Sequence, residues 1–154
     1  MESVWDYPRP PALEPCTRRV RVVLGDVTIA DSARALRLLE TSHPPAIYVP
    51  RQDVAPGVLT AAGRPPSFCE WKGIATYLDV HGGGRTARAA AWTYPEPVAR
   101  YADLAGHVSF YPGLMDACLL GDEVVRAQEG GFYGGWVTAD IEGPFKGAPG
   151  TAGW

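Results

Sequence analysis

A mainly β fold, with one or two short helices and a long C-terminal coil, is predicted by three features of this sequence. Its 18 glycines and 15 prolines punctuate 154 residues so often that long helices have little room. Between them lie short runs in which apolar residues alternate with others, the period of a half-buried strand. Glycine turns at 25–26, 82–84 and 121–122 sit between paired runs, which reads as three hairpins.

The first hairpin joins residues 18–24 to 27–30 through Gly25-Asp26, where glycine at the first turn position suits a type II′ turn. Opposing Leu24 to Val27 puts Val20, Val22, Leu24, Val27 and Ile29 on one face and Arg19, Arg21 and Thr28 on the other. Burying each of those five side chains contributes about 1.5–3 kcal/mol before chain entropy is set against it. Asp31 is positioned to cap a short helix over 32–41, with Ala33, Leu36 and Leu39 on its inner face, and Pro44-Pro45 ends it. Residues 46–49 form a strand, and 50–63 a turn-rich excursion whose Val54, Val58 and Leu59 pack on the core.

The second hairpin pairs 73–81 with 85–92 around Gly82-Gly83-Gly84, and a three-residue loop sets Tyr77 opposite Ala89 and Ile74 opposite Trp92. Ala87, Ala89 and Ala91 then share a face with Tyr77 and leave space above it. A second helical segment follows at 98–105, then a strand at 107–111 and the third hairpin, 114–120 with 123–127. The chain divides into a proline-rich arm (1–17), a core (18–127) and a glycine–aromatic tail (128–154) of one domain. Phe132, Tyr133, Trp136, Phe145 and Trp154 are costly to expose, so the tail is expected to wrap its own domain or that of a second subunit in a homodimer.

A formal charge of −3 with interspersed signs offers no footprint for nucleic acid or an anionic membrane, and no segment has the length of a membrane span. Cys16, Cys69 and Cys118 are too scattered for a disulfide framework or zinc knuckle, which suits the cytoplasm, and no metal or cofactor is expected. Gly82-Gly83-Gly84 lacks the following lysine and hydroxyl of a phosphate loop, and no serine stands in a Gly-x-Ser-x-Gly elbow.

The chemistry is concentrated in Ser67-Phe68-Cys69-Glu70-Trp71-Lys72-Gly73, at the entrance to a strand. Desolvation by Trp71 and Phe68 would raise the neutral, nucleophilic fraction of Lys72; a snorkelling or ion-paired lysine is the bland alternative. Cys69 can approach Lys72 only across a tight turn, because side chains three apart diverge on a strand. Given that turn, the ammonium favours the thiolate; otherwise Cys69 is a small buried apolar group. Glu40 and Glu70 are carboxylates within plausible reach of the lysine, and Tyr48, Tyr77 and Tyr111 can bring hydroxyls to a pocket or simply fill the core. Arg19 with Arg21 could clamp an anion or be solvated, and His43 is a better base than His81.

These motifs together resemble a bacterial family known as domain of unknown function 427. The likeness is carried by Arg21-Val22-Val23 through Ala30-Asp31-Ser32 with Arg34-Ala35-Leu36, by Leu39-Glu40-Thr41 through Pro44-Pro45 and Tyr48-Val49-Pro50, by Cys69 through Gly73 with Ala75 and Tyr77, and by Ala91-Trp92 with Tyr94-Pro95 and Phe110-Tyr111. Glu70 stands where the family pattern has proline, and Leu78 where it has an aromatic. The resemblance implies a β-tent-like (Mss4-like) or open-barrel domain in which two antiparallel sheets lean over a groove. The paired cysteines with which relatives of that architecture hold zinc are missing, and so are the Gly-Ser and Asp-x-Asp features needed for the nucleotidyltransferase-like chemistry in the family's label.

The expected function is a small-molecule pocket between the sheets, lined by Tyr48, Cys69, Trp71, Tyr77 and Tyr111. In it Lys72 and Glu40 act without a cofactor, by acid–base or imine-type chemistry, on a carbonyl-bearing or acidic metabolite. The alternatives are a non-catalytic binding module and an interaction protein that uses its tail.

Overall fold

The computed structural model describes residues 1–154. The protein is mainly β, built of several antiparallel sheets that do not close into a barrel. The strands are β1 Glu2–Ser3, β2 Ala12–Pro15, β3 Val20–Leu24, β4 Val27–Ser32, β5 Leu36–Leu39, β6 Ala46–Pro50, β7 Leu59–Ala61, β8 Ser67–Cys69, β9 Gly73–Gly82, β10 Arg85–Thr93, β11 His107–Phe110, β12 Ala117–Leu120, β13 Glu123–Val124, β14 Arg126–Ala127, β15 Trp136–Val137 and β16 Ile141–Glu142. A large sheet has the order β2-β5-β6-β11-β10-β9-β7, with β8 also paired to β9, and a four-stranded sheet has the order β13-β12-β3-β4. The remaining pairs, β14-β15 and the parallel β1-β16, fasten the ends of the chain. No helix is long and apolar enough to cross a membrane.

The first hairpin pairs Leu24 with Val27 as expected, but both turn residues have positive φ, 60° at Gly25 and 62° at Asp26, so the turn is type I′ and not II′. Val20, Val22, Leu24 and Ile29 are buried, whereas Val27 at the tip is exposed. A register shift between Val22 and Val23 lets Ile29 and Ala30 both turn inward. The second hairpin turns through two residues, with Arg85 opposite Gly82, and its tip packs on the first: a Cβ on Gly83 would lie 1.9 Å from the Gly25 carbonyl oxygen.

The register of that hairpin also differs further along. Ala87 opposes Val80, yet Ala91 opposes Leu78 and Trp92 opposes Tyr77, so three β10 residues bulge opposite Asp79. Ala89 sits in the bulge at φ 48°, and its N–H donates to Asp79 Oδ1 at 2.7 Å. This carboxylate substitutes for the ladder bond that the bulge removes.

The helix expected at 32–41 is absent. Ser32 ends β4, and residues 36–39 form β5 between β2 and β6. Asp31 does not cap a helix but grips the Arg19 guanidinium, at 2.8 and 2.5 Å. Arg37 holds Glu14 of β2 and Glu2 of β1, both at 2.6 Å, so partners from the amino-terminal arm override the helical spacing of Ala33, Leu36 and Leu39. Residues Ala99–Leu104 do turn helically, as a 3-10 segment.

Strand alternation gives the large sheet two apolar faces. Ile47, Val49, Leu78, Val80, Ala91 and Val108 join Val20, Val22, Leu24 and Ile29 of the small sheet in a 22-residue core that fills the space between the sheets. Val54 and Val58 reach that core, with Leu59 packed against it. Tyr48, Tyr77 and Trp92 belong to a second cluster with Leu38, Ala75, Tyr94, Tyr101, Leu104 and Tyr111, which contains no residue of the small sheet. The pocket expected between the sheets therefore lies elsewhere, on the far face of the large one.

Replacing Asp79 with alanine strands the Ala89 N–H and is expected to cost about 1–3 kcal/mol in urea-denaturation stability. Ala89→Gly, which removes a side chain from a left-handed position, is expected to be neutral or to stabilise by up to about 1 kcal/mol in the same measurement.

Candidate functional site

A cavity of about 250 Å³ opens on the aromatic face of the large sheet. Its floor is β5, β6, β9 and β10 through Leu38, Ala46, Tyr48, Ala75, Tyr77 and Trp92. One wall is the β8–β9 hairpin, and the other is the tail, which lays Phe132, Tyr133, Gly134 and Gly135 across it. All seven residues singled out in the sequence line this cavity: Glu40, Tyr48, Cys69, Trp71, Lys72, Tyr77 and Tyr111.

The turn that the thiol and amine require is present. Cys69 closes β8 opposite Gly73, the first residue of β9, and Glu70, Trp71 and Lys72 make the connection. The Lys72 carbonyl accepts the Val98 N–H at 2.8 Å, tying this turn to the 3-10 segment. The half-buried Lys72 side chain carries its Nζ 5.7 Å from the centroid of the Tyr94 ring. Phe68, expected to shield the amine, is 74% exposed at the rim beside its cross-strand neighbour Ile74.

The expected depression of the Lys72 pKa is reversed. Burial is the largest influence and opposes its charge, but the pull of Glu40, and of Tyr48, Cys69 and Tyr101 when ionised, outweighs it and raises the pKa above the ordinary lysine value. That direction favours the ammonium form, a partner for negative charge more than a nucleophile. Burial pushes Tyr48, Tyr94 and Tyr111 up as well, Tyr111 to about 12, and keeps these three hydroxyls protonated. Three hydroxyls of the lining are hydrogen-bonded: Tyr48 accepts from Trp92 Nε1 at 3.2 Å, Tyr111 donates to the Phe132 carbonyl at 2.9 Å, and Tyr77 shares a 2.7 Å bond with Ser67 Oγ. Arg64 stacks on Tyr77, 3.9 Å from the ring centroid, and extends toward Phe132 at 5.8 Å.

Several lining residues, Lys146 and Gln128 among them, escaped the sequence reading, whereas His43, singled out there only as the better histidine candidate for its place before Pro44-Pro45, lies in the lining. Its Nδ1 lies 3.0 Å from the Thr41 carbonyl, which can only accept, so Nδ1 carries the proton and Nε2 keeps its lone pair when the ring is neutral. Burial lowers the His43 pKa, Lys146 and Lys72 reinforce this, and Glu40, 4.0 Å from Nδ1, opposes it together with the Thr41 bond. Arg19 and Arg21 are not part of the site: Arg19 is paired with Asp31, and Arg21 donates to the Gly121 carbonyl. His81 bonds Thr60 and Thr86 within the sheet.

The tail is held down by its glycines. A Cβ on Gly134 would lie 2.3 Å from the Trp92 indole, and one on Gly135 would lie 2.7 Å from Pro44. Gln128, buried beneath, accepts the Gly135 N–H at 3.0 Å and donates to the Lys146 carbonyl at 2.6 Å. The tail thus packs on its own chain.

A family model described as domain of unknown function (DUF427) matches residues 12–121, more than half of the sequence, and the chain belongs to this family. No curated protein matches it. The matched span contains the floor and the β8–β9 wall, but not the tail residues that close the other side.

His43 is expected to titrate by NMR below the ordinary 6.5, with the proton on Nδ1 in its neutral form, and Glu40→Gln is expected to lower it further. A lowered folded pKa means that the unfolded chain binds the proton first. The contribution of His43 to stability is therefore lost as pH falls from 6.5 through its folded value. Gly134→Ala, which drives a methyl into the indole, is expected to cost about 1–3 kcal/mol and to expose Trp92, as read by denaturation and fluorescence.

Proposed function

We propose that this cavity binds a small carbonyl-bearing or acidic metabolite and acts on it by acid–base chemistry. The carrying observation is that the Lys72 ammonium stands in an aromatic-lined cavity without forming an ion pair. A cation under aromatic cover that makes no direct ion pair is a recognition element for an oxygen anion, or for a carbonyl oxygen on which negative charge develops. Tyr48, Tyr77, Trp92 and Tyr94 supply apolar area for the body of the ligand, and Trp71 edges the entrance.

Proton transfer in this reading belongs to Glu40 and the neutral His43, whose free Nε2 is suited to accept a proton. Lys72 stabilises charge and does not form an imine, since its raised pKa leaves little free amine. Cys69 beside it supplies a soft wall. The tail's packing on its own chain favours a closing role over an interaction role. The three free cysteines suit a reducing, cytoplasmic setting.

Native mass spectrometry of the purified protein is expected to reveal a small acidic or carbonyl compound. Lys72→Gln should weaken its binding by about tenfold to a hundredfold, the loss of one charge-assisted hydrogen bond. Glu40→Gln should leave binding within about threefold while abolishing turnover of the compound, because it removes a proton-transfer group and not the anion's partner. Retained affinity in Lys72→Gln would refute the role given to the ammonium. Binding with no turnover by the wild type would reduce the site to a binding module.

A further inference from the structure

The sequence contains only two lysines, Lys72 and Lys146, and both line this one cavity. Seven arginines are held in ion pairs, whereas neither lysine is. The two arrive from separate walls, Lys72 from the β8–β9 turn and Lys146 from the tail beyond β16. Each ammonium stands over a tyrosine ring of the lining, Tyr94 at 5.7 Å and Tyr133 at 5.6 Å.

Lys146 is placed by its backbone. Its N–H donates to the Ser42 carbonyl at 2.8 Å, one residue before His43, and its carbonyl accepts from the buried Gln128 at 2.6 Å. A lysine kept only for solubility needs no such fixing. Neither lining carboxylate forms a direct ion pair with a lysine: Glu40, whose charge is felt at Lys72, contacts His43 at 4.0 Å, and Glu70 is exposed at the rim. His43 itself is in the field of both ammoniums, which puts the two charges in one neighbourhood.

We infer that the pocket is shaped for a short metabolite with an acidic group at each end, one received by Lys72 and the other by Lys146. This rests on the reading of the cavity as an acidic-metabolite pocket and narrows it to small dianions. The aromatic residues of the lining would cover the apolar middle of such a ligand, and the two-point hold would set its orientation toward His43 and Glu40.

Isothermal titration of the full chain at neutral pH and low salt, with succinate, glutarate and adipate against butyrate, pentanoate and hexanoate, tests this. At least one diacid is expected to bind tenfold or more tightly than the monoacid of equal length. Lys146→Gln should bring that diacid down to its monoacid's affinity, Lys146→Arg should retain the preference, and Lys72→Gln should weaken both classes. Circular dichroism of each variant verifies its fold. Equal affinity for the two classes in the wild type, or an unchanged preference in Lys146→Gln, overturns the inference while leaving an acidic-metabolite pocket standing. Absence of binding by either class to the wild type overturns the acidic-metabolite reading itself, and this inference with it.

Discussion

The aromatic site depends on a bulge in one strand and on the carboxylate that supports it. If the register set at the Gly83-Gly84 turn continued along the second hairpin, Trp92 would stand opposite Ala75; the bulge opposite Asp79 moves it to Tyr77. There it packs on Tyr111 with ring centroids 4.6 Å apart and donates to Tyr48, so three strands of the floor meet around one indole. The shift retains the two-residue period: Leu78 and Ala91 still face the core while Tyr77 and Trp92 face the cavity. A local insertion thus composes the floor without disturbing the packing behind it. Asp79 stabilises this by giving the Ala89 N–H an acceptor where the partner strand offers none.

The second requirement is a cover, and it comes from the far end of the chain. The β8–β9 wall is local to the floor strands, but the tail must cross from β14 over Trp92 and Pro44. Absence of side chains at Gly134 and Gly135 lets the backbone approach the ring faces, and Gln128 satisfies the polar groups that this approach buries. The parallel β1-β16 pair then draws the tail back toward the amino-terminal arm. A cover made this way is part of the fold's hydrogen bonding, and the cavity it closes is lined by aromatic rings together with both lysines, Glu40 and His43.

Much of this was legible in the sequence because it is local. Glycine turns and alternating apolar residues specified the hairpins, and the spacing of Cys69 and Lys72 stated what a turn between them had to do. The strand at 36–39 was not legible, since Ala33, Leu36 and Leu39 fit a helical face and the carboxylates that hold Arg37 to its neighbours come from residues 2 and 14. The bulge was equally hidden, because a run of alanines at 87 and 89–91 pairs as well in one register as in another and only Asp79 in three dimensions selects. His43 and Lys146 looked like isolated residues. Their proximity arises from the hydrogen bond between the Lys146 and Ser42 backbones, a contact between the tail and the segment before β6.

The reversal at Lys72 shows why burial alone does not decide the character of a charged group. Desolvation is the largest single influence on it, yet several weaker ones act in concert and leave the amine more basic than in water. The same lysine works in the opposite sense on His43, where burial and two ammoniums act together and the imidazole is left neutral. A fixed cation and an unprotonated ring are thereby maintained in one cavity at the same pH, although each alone would be the more ordinary titrating group. In the proposed reaction such divergence would serve proton transfer beside a developing oxyanion, where the base must be empty when the charge that it helps create already has a partner.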